Sequence, residues 1–216
     1  MKLAIFDMDG LIFDTERLTK KIMTAKMAEQ GYILTEDIYM ETCGVNAKKN
    51  REILIREYGQ DYPHDKIFNL VRDGITEDIK ANGAPVKRGI PELLEYLTQS
   101  GIKCVVASST KTVFVNEYLQ ISNLDKYFDA VIGGDMIKNS KPAPDIFLKA
   151  CEAMDIEPCE AVVFEDSENG IRASVSAGIP VICIFDMKRH GQEIQDMCIG
   201  CFDDAHEVVD YFKNEI

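Results

Sequence analysis

Positive charge is scarce in this sequence. The 216-residue chain carries 24 lysines and arginines against 37 aspartates and glutamates, which gives a net charge of −13. An excess of acidic side chains is repelled by nucleic acids and by anionic membranes, so neither is an expected partner. If the substrate is an anion, its attraction to the protein must come locally, from a metal ion or from a few well-placed cations.

Long apolar runs are also missing. Only four consecutive apolar residues precede Asp7, too few for a signal peptide, and no run approaches the length of a membrane span. The seven cysteines are odd in number, and several lie in apolar segments, which is typical of reduced, buried thiols. We therefore expect a cytoplasmic protein. Nothing in the sequence demands an oligomer, so a monomer is expected, with a homodimer as the alternative.

Histidine is rare as well, with three residues in the whole chain, so a histidine-rich metal site is not expected. Cys198 and Cys201 form a C-x-x-C motif that, with His190 and His206, could bind zinc. No second C-x-x-C motif exists, and the segment lies near the last small strand. Packing in the core is therefore favoured over a metal or redox role for these cysteines.

Five short apolar runs are present, and helical periodicity separates the last four of them. Continuous apolar runs of this length are typical of buried parallel strands. Alternation of strand and helix predicts an α/β fold with a parallel sheet covered on both faces. The runs span residues 3–6, 103–107, 130–133, 161–164 and 181–185.

The stretch from residue 15 to residue 83 breaks this alternation. It contains helical patterns and no convincing strand, with Thr35 and Asn46 as candidate N-caps of two of its helices. Gly83 and Pro85 interrupt the last helical pattern. We therefore predict a core of residues 1–14 and 84–216, into which a helical unit of residues 15–83 is inserted.

Polar residues follow four of the five predicted strands. In open parallel sheets, ligands bind beyond the carboxyl ends of the strands, so these residues are the candidates for a site. In chain order they are Asp7 and Asp9, then Ser108, Ser109 and Thr110, then Lys141, and finally Glu165 and Asp166.

Carboxylates that meet at one edge of a sheet repel one another. A pair about 4 Å apart costs roughly 4 kcal/mol at an effective dielectric constant near 20, so protonation, a lysine or a divalent cation must compensate. A small site of oxygen ligands favours Mg²⁺ over zinc. Magnesium, a lysine and hydroxyl groups together suit a phosphate group. Asp7 can then attack phosphorus to form an aspartyl-phosphate, and Asp9 can act as the general acid and base.

The order and spacing of these residues resemble those of the haloacid dehalogenase superfamily, in the branch with a helical cap after the first strand. The motifs are DMDGL and FDTE at 7–11 and 13–16, ASS at 107–109, SKPAPD at 140–145 and FEDS at 164–167. The resemblance implies a Rossmann-like core with strand order 5-4-1-2-3 and a mobile cap that closes over the substrate.

The resemblance also implies a role for each motif residue. Asp7 would be the nucleophile and Asp9 the acid and base. Magnesium would be bound by Asp7, the backbone carbonyl of Asp9 and Asp166, with Glu165 close by. The phosphoryl group would be held by Ser108, Lys141 and the backbone N–H of Ser109.

Two positions bear on the choice of reaction. The nearest branch is that of β-phosphoglucomutase-like proteins, which carry a cap histidine where this chain has Thr19. They also carry a substrate-binding arginine near the position of Ala47, a role that Lys48, Lys49 or Arg51 could take here. Both departures favour a phosphatase that hydrolyses a small phosphate monoester, such as a sugar phosphate, and leave a sugar phosphomutase as the alternative. The presence of Asp9 argues against dehalogenases and phosphonate hydrolases.

Further residues are candidates for substrate selection, although the charged run at 48–51 is more typical of a solvated helix face. Two other classes use similar residues. A phospho-acceptor signalling domain is shorter and has its aspartate after a middle strand. A non-catalytic binding protein would be expected to have lost Asp7 or Asp9. The candidates are Thr15, Glu16, Thr19, Lys20, Gly44, Lys48, Arg51, Thr110 and Lys111.

Overall fold

The computed structural model describes residues 1–43, 45 and 47–215. Gly44, a candidate for substrate selection, and Asn46, a candidate N-cap, lie outside the described residues. Contacts within the chain divide it into two units. The core unit comprises Met1–Asp14 and Ala84–Ile216, and the helical unit comprises Thr15–Gly83.

The core unit contains a parallel sheet of six strands in the order β3-β2-β1-β4-β5-β6. The predicted α/β class is thereby confirmed, and all five predicted runs form strands. The predicted order of five strands is also found, but a short sixth strand extends the sheet beyond β5. The strands are β1 Leu3–Phe6, β2 Lys103–Ser108, β3 Ala130–Gly133, β4 Ala161–Glu165, β5 Val181–Ile184 and β6 Gly200–Phe202.

Strand β1 lies in the middle of the sheet, and all of its residues are fully buried. It pairs with β2 on one side and β4 on the other, so that Phe6 is level with Val106 and Phe164. The rings of Phe6 and Phe164 stack with 4.6 Å between their centroids. The carboxyl ends of three strands therefore meet at one level, directly before Asp7.

Helices cover this sheet, and the apolar positions of each helix pack against the strands. In α5, for example, Leu93, Leu94 and Leu97 are fully buried, as their helical spacing predicts. None of the helices in the described parts of the chain has both the length and the apolar character of a bilayer span. The helices of the core unit are α5 Ile90–Gln99, α6 Thr112–Ile121, α7 Asp145–Met154, α8 Glu168–Ser176, α9 Gln192–Gln195 and α10 Ala205–Glu215, with 3-10 turns at Asp125–Tyr127, Gly134–Met136 and Pro158–Glu160.

The described residues of the helical unit form helices and no strand. Helices α1 and α4 pack against each other, and Gly74 permits this because a Cβ there would lie 2.9 Å from Ile22 Cγ2. The predicted N-cap Thr35 is confirmed, since its side chain accepts a hydrogen bond from the Ile38 N–H. The helices are α1 Thr15–Glu29, α2 Glu36–Thr42, α3 Ala47–Tyr58 and α4 His64–Asn82.

Candidate active site

Asp7 lies directly after β1, and its backbone N–H continues the sheet by donating to the Phe164 carbonyl at 3.0 Å. The Asp7 carboxyl group is buried. Burial raises its pKa most, Lys141 opposes this rise, and the charges of Glu165 and Asp9 raise the pKa further. Negative charge at Asp7 is therefore only partly compensated by the protein.

Lys141 is the cation of the site and is itself buried. Its Nζ donates to Asp7 Oδ1 at 2.5 Å, to Glu165 Oε1 at 2.7 Å and to the Ala107 carbonyl at 3.2 Å. An ammonium group has three protons, so these three contacts use all of them. Burial lowers the pKa of Lys141, but Asp7 and Glu165 outweigh burial and raise it overall, so the lysine stays charged.

Glu165 is fully buried at the end of β4, and protein donors occupy both of its oxygens. Oε1 accepts from Lys141, while Oε2 accepts from the backbone N–H groups of Asp166 and Ser167 and from the Ser167 hydroxyl, at 2.7 to 3.0 Å. These four hydrogen bonds fix the orientation of the carboxylate. Glu165, expected close to the magnesium ion, therefore holds Lys141 and the loop after β4.

Replacing Gly170 by alanine is expected to destabilise the protein, although alanine normally favours a helix over glycine by about 1 kcal/mol. The new Cβ would lie 1.7 Å from Glu165 Oε1. Overpacking costs roughly 1–3 kcal/mol, and disturbing hydrogen bonds to a charged group costs roughly 1.5–3 kcal/mol more. The measurement is the free energy of unfolding in urea.

The matched control for this variant is Gly191→Ala. Gly191 has a φ of −64°, and no heavy atom lies within 4 Å of an added Cβ. Its replacement is expected to change the stability by less than about 1 kcal/mol, because the smaller freedom of the unfolded chain offsets the weaker N-cap of α9. Equal stability of the two variants would show that Glu165 is not held as tightly as its contacts indicate.

The Asp9 side chain is held by residues at the end of β2 and in the loop that follows. Its Oδ2 accepts a hydrogen bond from the Thr110 hydroxyl at 2.8 Å and lies 3.4 Å from the Ser108 hydroxyl oxygen. Thr110 in turn donates its backbone N–H to Ser108 Oγ at 3.0 Å. Thr110, a candidate for substrate selection, therefore orients Asp9. The other candidates in this segment, Ser109 and Lys111, have exposed side chains.

Asp166 follows Glu165 and lies against the turn that carries Asp9. Gly10 in this turn has a φ of +87°, and a Cβ at that position would lie 2.3 Å from Asp166 Oδ2. A side chain at position 10 would thus displace the Asp166 carboxylate, and only glycine adopts this backbone conformation without strain. The buried His190 donates from Nε2 to the Asp166 carbonyl at 2.7 Å. The sequence indicated His190 only as a possible zinc ligand and not as a residue of this site, although it follows β5 at the same edge of the sheet.

The predicted magnesium site has only two side-chain ligands. Among the residues that the structure describes, no three His, Cys, Asp or Glu side chains lie together as a ready metal site. The ligands implied by the motifs are two carboxylates, Asp7 and Asp166, and the backbone carbonyl of Asp9. This set consists only of oxygens, as Mg²⁺ prefers, and the charge at Asp7, which the protein compensates only in part, favours a cation. The residues present therefore fit magnesium, without Glu165.

Several candidates in the helical unit are engaged within that unit. Glu16 Oε2 accepts from the Tyr39 hydroxyl at 2.9 Å and lies 3.6 Å from Cys43 Sγ. Lys20 is paired with Glu36. Of the remaining candidates, Arg51 is paired with Asp65, Thr15 is buried, Thr19 is half-buried and Lys48 is exposed.

Asp7, Lys141 and Glu165 are in contact at the carboxyl edge of the parallel sheet. The fold and this site together define an α/β enzyme whose active site is formed by acidic residues and one lysine. A family model described as haloacid dehalogenase-like hydrolase matches residues 4–184. The chain belongs to this family, and the resemblance stated from its motifs is confirmed.

Known relatives include phosphatases. A phosphorylated carbohydrates phosphatase of Thermotoga maritima is 34% identical over 184 residues, covering 83% of this chain and 82% of the relative. A phosphoglycolate phosphatase of Shigella boydii is 26% identical over 209 residues, covering 88% and 83%. The crystal structure of β-phosphoglucomutase from Clostridium difficile matches with a TM-score of 0.80 at 19% identity, covering 99% of this chain and 96% of that one. The last likeness shows a shared fold only.

Proposed function

We propose that this protein is a magnesium-dependent phosphatase that hydrolyses a small phosphate monoester of the sugar phosphate class through an aspartyl-phosphate on Asp7. The observation that carries the proposal is the buried contact of Lys141 with Asp7 and Glu165. The 34% identity to a phosphorylated carbohydrates phosphatase supports the substrate class.

Asp7 is suited to act as the nucleophile because one of its oxygens is fixed. Lys141 holds Oδ1, which leaves Oδ2 to attack phosphorus in line with the leaving oxygen. The bond between phosphorus and the leaving oxygen then breaks, and the phosphoryl group rests on Asp7. The charge of Lys141 next to this carboxylate offsets negative charge that develops on the transferring group.

Asp9 is suited to move the protons of both steps. Its Oδ2 is oriented by Thr110, which fixes the carboxyl group beside the nucleophile. In the first step Asp9 gives a proton to the leaving oxygen, and in the second it takes a proton from the water that attacks the aspartyl-phosphate. Inorganic phosphate and free Asp7 result.

Three residues would hold the magnesium ion: Asp7, Asp166 and, through its backbone carbonyl, Asp9. When bound, Mg²⁺ neutralises charge on the phosphoryl group. His190 acts on this set indirectly, since it holds the Asp166 carbonyl and so positions the loop that carries the carboxylate. We further propose that Ser108 and the Ser109 N–H donate to the phosphoryl oxygens.

Substrate selection is proposed to rest with the helical unit. Because Glu16, Lys20 and Arg51 have partners within that unit, Thr19 and the exposed Lys48 are the stronger candidates. The mutase-like branch has a histidine and an arginine near Thr19 and Ala47, and their replacement here supports transfer of the phosphoryl group to water.

Incubation with a panel of phosphate monoesters and Mg²⁺ is expected to release inorganic phosphate, most rapidly from sugar phosphates. Removing the metal with a chelator is expected to lower the rate at least 100-fold, since Lys141 is then left to offset the charge on the phosphoryl group without the metal ion. The measurement is free phosphate against time, with magnesium added back as the control.

Asp166→Asn is expected to raise the magnesium concentration needed for half-maximal rate.

Two outcomes of this assay would contradict the proposal. Full activity in metal-free buffer would exclude the magnesium site. Efficient interconversion of a hexose 1-phosphate and its 6-phosphate, primed by a bisphosphate, would favour the phosphomutase instead.

The cytoplasmic location and the monomeric state remain predictions. All seven cysteines are free thiols, which suits a reducing compartment and supports the proposed location.

A further inference from the structure

One ion pair of the core unit lies outside the contacts around Lys141 and is almost excluded from water. Lys87 Nζ donates to Asp186 Oδ1 at 2.5 Å, and the two side chains are 15% and 3% exposed. Lys87 comes shortly before α5, and Asp186 lies two residues after β5, at the carboxyl edge of the sheet. Neither residue belongs to the groups proposed to attack phosphorus, to move protons or to bind magnesium.

The backbone of Lys87 is joined to the turn that carries Asp9. The Lys87 N–H donates to the Ile12 carbonyl at 2.8 Å. The Ile12 N–H in turn donates to the Met8 carbonyl at 3.0 Å, which closes the turn around Asp9. A shift of Lys87 would therefore displace the turn whose Asp9 carbonyl is a proposed magnesium ligand.

Asp186 is joined to the loop that carries Asp166. It lies in the segment of residues 185–191, which we call the β5 loop. His190 of the β5 loop donates from Nε2 to the Asp166 carbonyl at 2.7 Å. The β5 loop therefore contacts the Asp9 turn through Asp186 and the Asp166 loop through His190, and it connects the two segments that supply proposed magnesium ligands.

An ion pair in this position indicates a need for fixed geometry. Removing two charges from water costs free energy that their attraction only partly returns, so an apolar pair of similar volume is often at least as stable. A charged hydrogen bond instead fixes the separation and the direction of its partners. A magnesium site depends on such precision, because Mg²⁺ requires nearly octahedral ligands at about 2.0–2.1 Å.

We propose that Lys87 and Asp186 are positioning residues of the magnesium site, whose ion pair sets the distance between the Asp9 carbonyl and the Asp166 carboxylate. This inference rests on the proposed function, because it takes these two groups as metal ligands. The Asp9 turn and the Asp166 loop touch directly at Gly10, where a Cβ would lie 2.3 Å from Asp166 Oδ2. The ion pair adds a second connection through the β5 loop, and two connections prevent the rotation that a single contact permits.

Loss of the ion pair is expected to weaken magnesium binding without removing a ligand. In Lys87→Met, the magnesium concentration for half-maximal phosphate release should rise by about tenfold or more. At saturating magnesium, the turnover number and the KM for substrate should both stay within about threefold of the wild-type values, because neither residue is placed to touch the substrate. Lys87→Arg keeps the charge opposite Asp186 and is expected to restore the wild-type magnesium requirement.

Magnesium binding can also be measured without substrate, as the rise of the melting temperature with magnesium concentration. A ligand that binds only the folded protein stabilises it according to the ratio of its concentration to its Kd, so a weaker site displaces this curve to higher concentration. We expect a displacement of about tenfold in Lys87→Met and in Asp186→Asn. Arg88→Met is the matched control, because Arg88 is the next residue in the chain but is 79% exposed and lies 3.6 Å from Asp204.

A double variant, Lys87→Met with Asp186→Leu, separates positioning from stability. It leaves neither charge of the pair buried alone, so without magnesium it is expected to melt close to the wild-type temperature. Its magnesium curve should nevertheless stay displaced, by no more than in either single variant, because the two residues act as one unit. A double variant with the wild-type curve would overturn the proposal, and so would a Lys87→Met curve that coincides with that of Arg88→Met.

The same measurements separate this proposal from the proposed function. A wild-type melting temperature that does not respond to magnesium would overturn both, because there would be no metal site to position. A wild-type protein that binds magnesium but releases no phosphate would disprove the phosphatase alone, and the displacement of the melting curves would still decide the role of the ion pair.

Discussion

Asp7→Asn is expected to abolish phosphatase activity while leaving the protein folded. The amide nitrogen that replaces one carboxylate oxygen is not a nucleophile, so the turnover number should fall by a factor on the order of 10⁴ or more. The side chain keeps its size, and Lys141 keeps its contacts with Glu165 and the Ala107 carbonyl. The measurement is the rate of phosphate release, with the free energy of unfolding measured on the same sample.

The control for Asp7→Asn is Asp145→Asn. Asp145 is the first residue of α7, and its carboxylate accepts hydrogen bonds from Asn139. It lies outside the contacts that join Lys141 to Asp7 and Glu165. This variant is expected to keep nearly full activity. Phosphate release by Asp7→Asn at a rate near that of the control would exclude Asp7 as the nucleophile.

Lys141→Met is expected to lower both the activity and the stability. Methionine retains most of the length of the side chain but removes the charge, so Asp7 and Glu165 remain buried and unneutralised at one site. Removing one partner of a buried ion pair costs roughly 3–5 kcal/mol. The measurement is the urea midpoint of unfolding in magnesium-free buffer, where no metal ion can replace the lysine.

Two further variants serve as controls for Lys141→Met. Lys2→Met removes an exposed ion pair with Glu160 and is expected to leave the midpoint nearly unchanged. Adding Asp7→Asn to Lys141→Met removes one of the two stranded charges and is expected to recover part of the lost stability. If Lys141→Met is as stable as Lys2→Met, the buried cation is not what holds the acids together.

Much of the core could be predicted from the sequence because burial on both faces leaves a clear pattern. The run before Asp7 is apolar at every position, and it forms the central strand β1. Strand β6 left a weaker signal, since its three residues are only partly buried and Gly200 begins it. Its short length explains why an order of five strands was predicted.

The meeting of Asp7 and Lys141 could also be predicted, since carboxyl ends of parallel strands share one edge. The partners of Glu165 could not, because three of its four donors are its own neighbours in a turn whose geometry the sequence does not display. As a residue of this site, His190 was missed for a similar reason. Its acceptor is a backbone carbonyl, which no residue type marks.

The helical unit shows the other limit of sequence reasoning. The burial of Met23 and Met27 follows from their spacing on one helix face. The engagement of Glu16 by Tyr39 does not, because 23 positions separate the two residues and no periodic pattern relates them. Substrate-selecting side chains therefore have to be found by experiment, beginning with Thr19 and Lys48.

The most direct test of the aspartyl-phosphate is the stereochemical course at phosphorus. A substrate with a chiral, isotopically labelled thiophosphate group is hydrolysed in isotopically labelled water, and the configuration of the released thiophosphate is determined. Attack by Asp7 followed by attack of water gives two inversions, so the account predicts net retention. Net inversion would mean that water attacks the substrate directly, and it would contradict the role assigned to Asp7.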